Sequence, residues 1–360
     1  TTAKDGFDGN QTVVSDTEVS VVDTVKYKNV TPGKTYKVTG TLYEKVTDKD
    51  GKVNGTLLTS TGTKLAGIGC VVISKDGITA TTIPTSELTT TPDKTVVDRA
   101  AAIQKQIDDD YGAVFAKTLY ELNGAKAPNG NRDGETNLGD LITDALVWGA
   151  KQNGEAVDAA VTNGGGIRAT VKAGDITKKD VNTVLPFGNT LSIVKVTGAE
   201  LLEALEASTY CTPDALGGFP QVSGIVFTVD TAKTYDAGDL YPDSTYHAPK
   251  SINRVTIQSV GGKAFDEKAV YTIATNDFMA AGGDTYYAFK AASANYNIGV
   301  PMDEVLMDYI KTELKGVVGE TYVKPQGRIT LTKTEAPAEE PAKPAEPAQP
   351  STPAQPAKPA

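Results

Sequence analysis

The sequence predicts an α+β fold in which a large mixed α/β domain follows a small antiparallel β module. Polar and apolar residues alternate near the N-terminus, whereas strands alternate with amphipathic helices from about residue 59 to residue 332. The 360 residues, 39% of them hydrophobic, can form one large core or two ordinary ones. Residues 335–360 are nearly all Pro, Ala, Glu, Lys and Gln, so we expect a disordered, polyproline-like tail there.

The N-terminal module is predicted to consist of antiparallel strands. In the run 36–43, the residues Tyr36, Val38 and Leu42 fall on one face, and polar residues fall on the other. This period of two is typical of a half-buried strand. Residues 18–27 alternate in the same way.

Four amphipathic helices are predicted in the α/β region, over about 95–110 and 137–151 and from Thr197 and Pro301 onward. Thr197 stands three residues before Glu200, the spacing of a capping box, and proline is favoured in a first helical turn. Six strands are predicted at 159–162, 191–196, 225–229, 254–257, 271–275 and 328–331.

The charge and histidine content exclude several classes of function. A formal net charge of -10 argues against a nucleic-acid partner, and no stretch reaches the roughly 20 apolar residues that span a bilayer. The sole histidine, His247, lies in a polar stretch and is predicted to occupy a solvent loop. Two cysteines, Cys70 and Cys211, are too few for a structural zinc site. The acidic run 108–110 is predicted to be a solvated helix end.

A glycine-rich segment, 162–168, follows an apolar strand and ends in Arg168. Its glycines allow the backbone to approach a ligand closely, and the guanidinium offers a planar set of donors. The spacing matches neither the dinucleotide fingerprint nor the phosphate loop. Taken alone, the segment therefore favours a tight turn.

Two aromatic residues, Phe187 and Phe278, stand on predicted loops at the ends of strands. A phenylalanine is more often part of a core, but a pair of rings can also sandwich a base, with stacking worth about 1–3 kcal/mol per base. Asn189 and Asp284 lie close by in sequence and can bond to a base or a hydroxyl. With the arginines, this set is chemically complete for a nucleoside phosphate.

Residues from about 59 to 331 closely resemble the C-terminal substrate-binding domain of the 5'-nucleotidase family, together with the segment that leads into it. The resemblance rests on several specific motifs in the same order, at residues 132–140, 163–168, 186–189, 219–224 and 276–286.

The resemblance implies substrate-binding roles for residues that match the family motifs. These are the stacking pair Phe187 and Phe278, Asn189 at the base, Asp284 at the ribose, Arg168 and Arg132 toward the ribose and phosphate, and Gly217, whose backbone comes close to the ligand. Pro128 stands where some members have a further arginine.

In this family, hydrolysis belongs to a separate N-terminal metallophosphatase domain, which holds two divalent metal ions that activate water. Residues 57–93 resemble only the end of that domain. The sequence has one histidine, and neither the Asp-x-His nor the Gly-Asn-His motif of that domain occurs in it. The resemblance therefore implies no catalytic residue, no metal ligand and no cofactor in this chain.

The first 56 residues resemble the first half of a Thr-Gln ester-bond repeat, a β-sandwich module of Gram-positive surface proteins. The resemblance rests on residues 1–6, 22–33 and 36–42. It implies an extracellular location, at the cell surface or in the cell wall. The late half of the repeat has no recognised counterpart, so no ester bond is predicted for Thr1 or Thr2.

The predicted domain plan has five parts: a partial β module at 1–56, a metallophosphatase remnant at 57–93, a linker helix region at 94–118, the substrate-binding domain at 119–333 and the tail at 334–360. The function predicted first is a surface-located nucleoside- or nucleotide-binding module of a nucleotide-catabolic hydrolase, inactive alone. The alternatives are one part of a working hydrolase, with a metallophosphatase domain supplied in trans, and a wall-spanning structural or adhesive module.

Overall fold

A computed structural model describes residues 2–5, 21–24, 42–47, 53–58, 66–74, 77–89 and 91–333. The chain divides into two compact units, residues 1–110 with 242–245 and residues 111–241 with 246–360. Most of the alternating run 36–43 and the whole tail 334–360 lie outside the described residues, as do Thr1 and parts of the run 18–27.

Antiparallel hairpins form the first unit, as the alternating pattern predicts. They pair β1 (Thr2–Asp5) with β2 (Val21–Thr24), β3 (Leu42–Thr47) with β4 (Val53–Leu58), and β5 (Gly67–Ser74) with β6 (Gly77–Pro84). A short 3-10 helix, Thr85–Glu87, precedes α1 (Lys94–Tyr111). Asp93 begins α1 by accepting hydrogen bonds from the N–H groups of Thr95 and Val96, and the acidic run 108–110 is exposed at its end, as predicted.

The second unit contains the remaining strands and helices. Its strands are β7 (Val114–Thr118), β8 (Ala159–Asn163), β9 (Gly174–Thr177), β10 (Thr190–Thr197), β11 (Pro220–Ser223), β12 (Ile225–Asp230), β13 (Ala237–Leu240), β14 (His247–Pro249), β15 (Val255–Val260), β16 (Lys263–Ala264), β17 (Val270–Asn276), β18 (Ala294–Pro301), β19 (Val317–Val318) and β20 (Ile329–Thr332). Its α-helices are α2 (Asn137–Gln152), α3 (Lys178–Val184), α4 (Gly198–Ala207), α5 (Asp277–Ala280), α6 (Tyr287–Lys290) and α7 (Met302–Thr312), and two 3-10 turns cover Gly164–Gly166 and Glu320–Tyr322.

The central sheet has the strand order β11-β8-β17-β10-β18. β8 runs parallel to β17, and the other neighbours are antiparallel. The last residues of β8, β17 and β18 therefore lie beside the first residues of β11 and β10. We call the segments that meet here, 163–168, 186–190, 216–220, 276–286 and 301–303, the loop edge of the sheet.

Apolar side chains on the two faces of this sheet enter two different cores. Leu191 and Ile193 of β10 join one core with α2, α3 and α7. Val194 and Val196 of the same strand join the other core with α4, β12 and β15. Because the sheet is buried on both faces, a ligand would reach it at the ends of its strands.

The predicted helices and strands of the second unit are confirmed to within a few residues. Thr197 and Glu200 form the predicted capping box, with Glu200 N donating to Thr197 Oγ1 at 3.2 Å and Thr197 N donating to Glu200 Oε2 at 2.7 Å. Pro301, predicted in the first turn, instead occupies the N-cap position of α7 and makes no side-chain capping bond. The inward residues of α7 are buried as predicted: Val305, Leu306, Tyr309 and Ile310. The short elements α3 and β9 were not predicted, because they have too few residues to establish a period, and the eight-residue β18 was missed as well.

The prediction for His247 is wrong. This residue begins β14 and is half-buried, because its Nδ1 lies 2.7 Å from the Gly238 carbonyl oxygen on the paired strand β13. A cross-strand contact of this kind allows a polar segment to form a strand, because the strand pairing satisfies its polar groups. Among the described residues, no helix is long and apolar enough to cross a membrane.

Candidate functional site

The loop edge carries two large aromatic side chains that are unusually exposed. Phe187 precedes β10 and is 60% exposed, whereas Phe278 follows β17 and is 44% exposed. Gly283 lies against the second ring, since a Cβ there would stand 2.5 Å from ring carbons of Phe278. A side chain at that position would displace the ring, so this glycine is required by close approach.

One carboxylate ties the two aromatic segments together. Asp277 Oδ1 accepts hydrogen bonds from Asn189 Nδ2 at 2.7 Å and from Thr190 N at 3.2 Å, both in the Phe187 segment. The same oxygen accepts from Phe278 N at 3.0 Å. The two rings are therefore held on backbone segments with a shared anchor.

A chain of amide hydrogen bonds positions Asp284. Asn276 Nδ2 donates to Asn163 Oδ1 at 3.1 Å, and Asn163 Nδ2 donates to Asp284 Oδ2 at 2.9 Å. Asp284 itself has a φ of 53°, a left-handed conformation that aspartate adopts more readily than most residues. Its side chain is held by the end of β8 although it is 121 residues away in sequence.

The two arginines lie near different residues of this site. A Cβ added to Gly217 would lie 3.8 Å from Asp284 Oδ1 and 4.0 Å from Arg132 Nη1, so these three residues converge. The guanidinium carbon of Arg168 lies 5.5 Å from the centroid of the Phe187 ring, and its Nη1 donates to the Gly165 carbonyl at 3.2 Å. Arg168 thus makes a cation–π contact beside the glycine turn.

A solvent-open cleft lies at the loop edge between the Phe187 segment and the start of α7. Its lining combines apolar and polar side chains: Thr162, Gly166, Leu185, Phe187, Asn189, Asn276, Met302 and Asp303. A mostly apolar wall with a few polar groups is typical of small-molecule sites.

All the residues that the resemblance assigns to substrate binding lie at or against the loop edge, while their binding roles stay predictions. Sequence reasoning missed Asp277, Asn163, Asn276 and Asp303, which hold or line the site. The adjacency of Asn276 and Asp277 to Phe278 was the available signal, because Asn and Asp after a strand often serve as caps.

Most residues of the motif 132–140 make contacts around the start of α2 and not with the two aromatic rings. Glu135 accepts hydrogen bonds from Gly327 N and Ile329 N, and Thr136 caps α2. Arg328 Nη2 lies 2.8 Å from both oxygens of Asp144. We call Glu135, Asp140, Asp144, Gln221 and Arg328 the α2 cluster.

Gln221 links the first turn of α2 to β11. Its Oε1 accepts from Thr136 N at 3.0 Å, and its Nε2 donates to the carbonyls of Gly134 and Asn131 at 2.7 and 3.2 Å. Within the motif 132–140, Arg132 is the residue that reaches the Gly217 and Asp284 pair.

Burial raises the pKa of Asp140 to about 8, against a usual value of 3.8. The guanidinium of Arg328 opposes this shift from 3.7 Å, but it is engaged by Asp144, and the nearby Glu135 raises the pKa further. Asp140 is fully buried, and its Oδ2 accepts from Gln326 N at 3.0 Å.

The described residues do not fit a metal centre. Within this part of the chain, no group of three or more His, Cys, Asp or Glu side chains is arranged to hold an ion. His247 is engaged at Gly238, and Cys211 Sγ contacts the carbonyl of Asp214 at 3.6 Å. Burial raises the pKa of the Cys211 thiol, which disfavours the thiolate that binds metals.

Residues 115–291 match the family model of the 5'-nucleotidase C-terminal domain, and residues 1–115 match that of the T-Q ester bond containing domain. Both families whose motifs the sequence resembles are therefore matched, although the T-Q match extends over residues 1–115 and the predicted resemblance covered only the first half of the repeat, at 1–56. The T-Q match also covers residues 57–93, which were predicted to be a metallophosphatase remnant. The division of residues 1–115 into a β module, a remnant and a linker helix therefore stays a prediction.

The chain is 36% identical over 202 residues to the trifunctional nucleotide phosphoesterase protein YfkN of Bacillus subtilis. It is 35% identical over 187 residues to the cell wall protein Lmo0130 of Listeria monocytogenes. These alignments cover 55% and 50% of the chain but 12% and 22% of the relatives. The crystal structure of a 5'-nucleotidase precursor from Thermus thermophilus is similar with a TM-score of 0.58 and 27% identity, over 87% of this chain and 57% of that one. The chain therefore spans only part of the length of the proteins it matches.

Proposed function

We propose that the chain binds nucleosides or nucleotides at the loop edge, as the substrate-binding domain of a 5'-nucleotidase-type hydrolase. The observation that carries this proposal is the pair of exposed phenylalanines, Phe187 and Phe278, on segments anchored by the same Asp277 oxygen. Exposed rings are poorly solvated, and a flat base between them would remove apolar surface from water.

The polar groups around the rings match the remaining parts of such a ligand. Asp284 is half-buried and held by Asn163, a suitable acceptor for ribose hydroxyls. Arg132 and Arg168 supply positive charge for a phosphate, through charge-assisted hydrogen bonds. Their positions relative to Gly217 and Phe187 support binding at one continuous site.

Calorimetric titration with adenosine and AMP tests this function. Phe278→Ala is expected to weaken binding about 10- to 100-fold, because it removes one stacking partner worth about 1–3 kcal/mol. Tyr296→Ala is the matched control, since this exposed aromatic residue lies within β18 and bonds to Glu155 away from the loop edge. Binding that is absent, or equal in Phe278→Ala and wild type, would contradict the proposal.

We further propose that residues 111–333 bind without hydrolysing, and that the two-metal chemistry of the family belongs to a metallophosphatase domain. The single histidine and the lack of a suitable ligand group among the described side chains support this division. Chelator-sensitive release of phosphate from AMP by the purified chain would overturn it. Release that appears only after a separate metallophosphatase domain is added would favour assembly in trans.

The proposed location is extracellular, at the cell surface or in the cell wall. The T-Q ester-bond domain and the similarity to a cell wall protein of Listeria monocytogenes support this location. A purely structural or adhesive role is the competing function, and the exposed Phe187 and Phe278 pair argues against it. Immunodetection on intact cells of the source organism, before and after surface proteolysis, tests the location.

A further inference from the structure

We infer that residues 326–332 form a proton-controlled latch, which closes on the start of α2 and opens locally as the pH rises. The latch consists of the segment 326–328 and β20, and it is followed in sequence by residues 333–360. Glu135 and Asp140 of the α2 cluster hold it in the closed position. Neither residue is assigned to the nucleoside site, so the latch can be tested independently of the proposed function.

Two carboxylates at the start of α2 bind the backbone of the latch. Asp140 Oδ2 accepts a hydrogen bond from Gln326 N at 3.0 Å. Glu135 accepts from Gly327 N at 2.9 Å through Oε1 and from Ile329 N at 2.8 Å through Oε2. Three backbone N–H groups of the latch therefore end on acidic side chains of the α2 cluster.

This buried cluster contains more acidic than basic groups. Asp140 is fully buried, and its Oδ1 accepts no hydrogen bond from any described residue. Arg328 Nη1 lies 3.7 Å from this oxygen, but Nη2 of the same guanidinium is bound to Asp144 at 2.8 Å. One guanidinium cannot neutralise three carboxylates when Glu135 is ionised as well. A proton on Asp140 removes the excess charge, and the latch closes over the neutral acid.

The tyrosines next to the cluster supply no positive charge that could replace this proton. Tyr322 OH donates to Asp144 Oδ2 at 2.9 Å and lies 2.9 Å from Tyr309 OH. Burial raises the pKa of both tyrosines, so they stay neutral. Burial likewise raises the pKa of Asp140 to about 8, although the charge of Arg328 opposes the shift.

The direction of the pH effect follows from the two states of Asp140. Opening exposes this side chain to water, because Gln326 and Arg328, which contact it, belong to the latch. Its pKa then returns toward the usual value of 3.8. Between about pH 4 and pH 8 the closed latch holds a proton that the open latch loses, so each pH unit favours opening by up to about tenfold. Acid therefore holds the latch closed, and a neutral medium loosens it.

The latch can open while the rest of the domain stays folded. Among the described strands, β12 is the one neighbour of β20, which lies at the edge of its sheet. Residues 323–327 and 330–332 are exposed, and Ile329 is the buried apolar anchor of the latch. Segments with few buried apolar contacts open at a lower free energy than the core.

Hydrogen exchange with mass spectrometry on the full chain at pH 5, 6, 7 and 8 tests the latch. After correction for the intrinsic exchange rate, protection of residues 326–332 in wild type is expected to fall by up to about tenfold per pH unit. Asp140→Asn keeps an acceptor for Gln326 N but cannot ionise, so its protection should stay constant over this range. Asp308→Asn, at an exposed position of α7, is the matched control and should keep the wild-type profile.

The shape of the pH profile separates the latch from a merely structural cluster. Constant protection in wild type, or the same slope in Asp140→Asn, would overturn the inference. Exchange of the latch at the protection level of β10 would also overturn it, because the segment would then open only with global unfolding. Glu135→Gln provides a second variant if Asp140→Asn does not fold. Removing this negative charge lowers the pKa of Asp140, so the profile should level off at a lower pH than in wild type.

Discussion

The loop edge and the α2 cluster use the same kinds of side chain in opposite ways. In the α2 cluster, the charges of Asp144 and Arg328 face each other at 2.8 Å, and both residues are less than 20% exposed. At the loop edge, Phe187 and Phe278 are about half exposed, and Asn189 and Asp303 line a cleft. A polar group whose hydrogen bonds are made within the protein stabilises the fold, whereas a polar group that faces open space can bind a ligand.

This contrast divides the motifs by which the family is identified. Residues 133–140 and Gln221 hold the first turn of α2 against β11 and the segment 326–329. Residues 163–168, 186–189 and 276–286 lie at the loop edge, and Gly166, Phe187, Asn189 and Asn276 line the cleft. Substitutions in the two regions should consequently change different quantities, stability in the first and affinity in the second.

The largest expected effect is the loss of stability in Asp144→Ala. This change leaves Arg328 without its closest partner and removes the acceptor of Ser223 Oγ and Tyr322 OH, at 2.6 and 2.9 Å. Breaking a buried ion pair from one side costs about 3–5 kcal/mol. Urea denaturation should show this decrease in the free energy of unfolding. Glu121→Ala, which breaks an exposed pair with Lys172, is the control and should cost at most about 1 kcal/mol.

The titration of Asp140 should give the α2 cluster a pH dependence. Its pKa is raised from 3.8 to about 8 on folding, so the folded state binds the extra proton between these values. Its contribution to stability is complete below about pH 4 and is lost as the pH rises toward 8, by at most about 1.4 kcal/mol per pH unit.

Asp140→Asn should remove this slope, since an amide does not titrate in this range and can still accept from Gln326 N. Unfolding free energies at pH 5, 6, 7 and 8 provide the comparison. Parallel profiles for wild type and variant would contradict the raised pKa.

The smallest expected change in free energy concerns Gly283→Ala at the loop edge. The added Cβ would meet the Phe278 ring at 2.5 Å and displace it, so adenosine affinity should fall about tenfold, equivalent to about 1.4 kcal/mol, with little change in stability. Gly319→Ala is the control, because no atom lies within 4 Å of its added Cβ. A drop in melting temperature without a change in affinity would place Gly283 with the structural residues instead.

Local sequence patterns were sufficient to predict most helices and strands of the second unit. The capping box of Thr197 and Glu200 depends on residues three positions apart, and the inward face of α7 depends on a period of 3.6. The aromatic and arginine residues of the site were also identifiable, since their chemistry is present in the side chains themselves. The position of His247 was predicted wrongly because it depends on pairing with β13.

The sequence by itself determined which segments form helices and strands, the family of the large domain and the residues capable of stacking on a base. Only the tertiary structure decided which polar groups are paired within the protein and which line the cleft. Asn189 and Asp277 are 88 residues apart, and Asp144 and Arg328 are 184 apart. These contacts exist because antiparallel and parallel pairing bring particular strand ends together, and hydrogen bonds form only over a few ångströms.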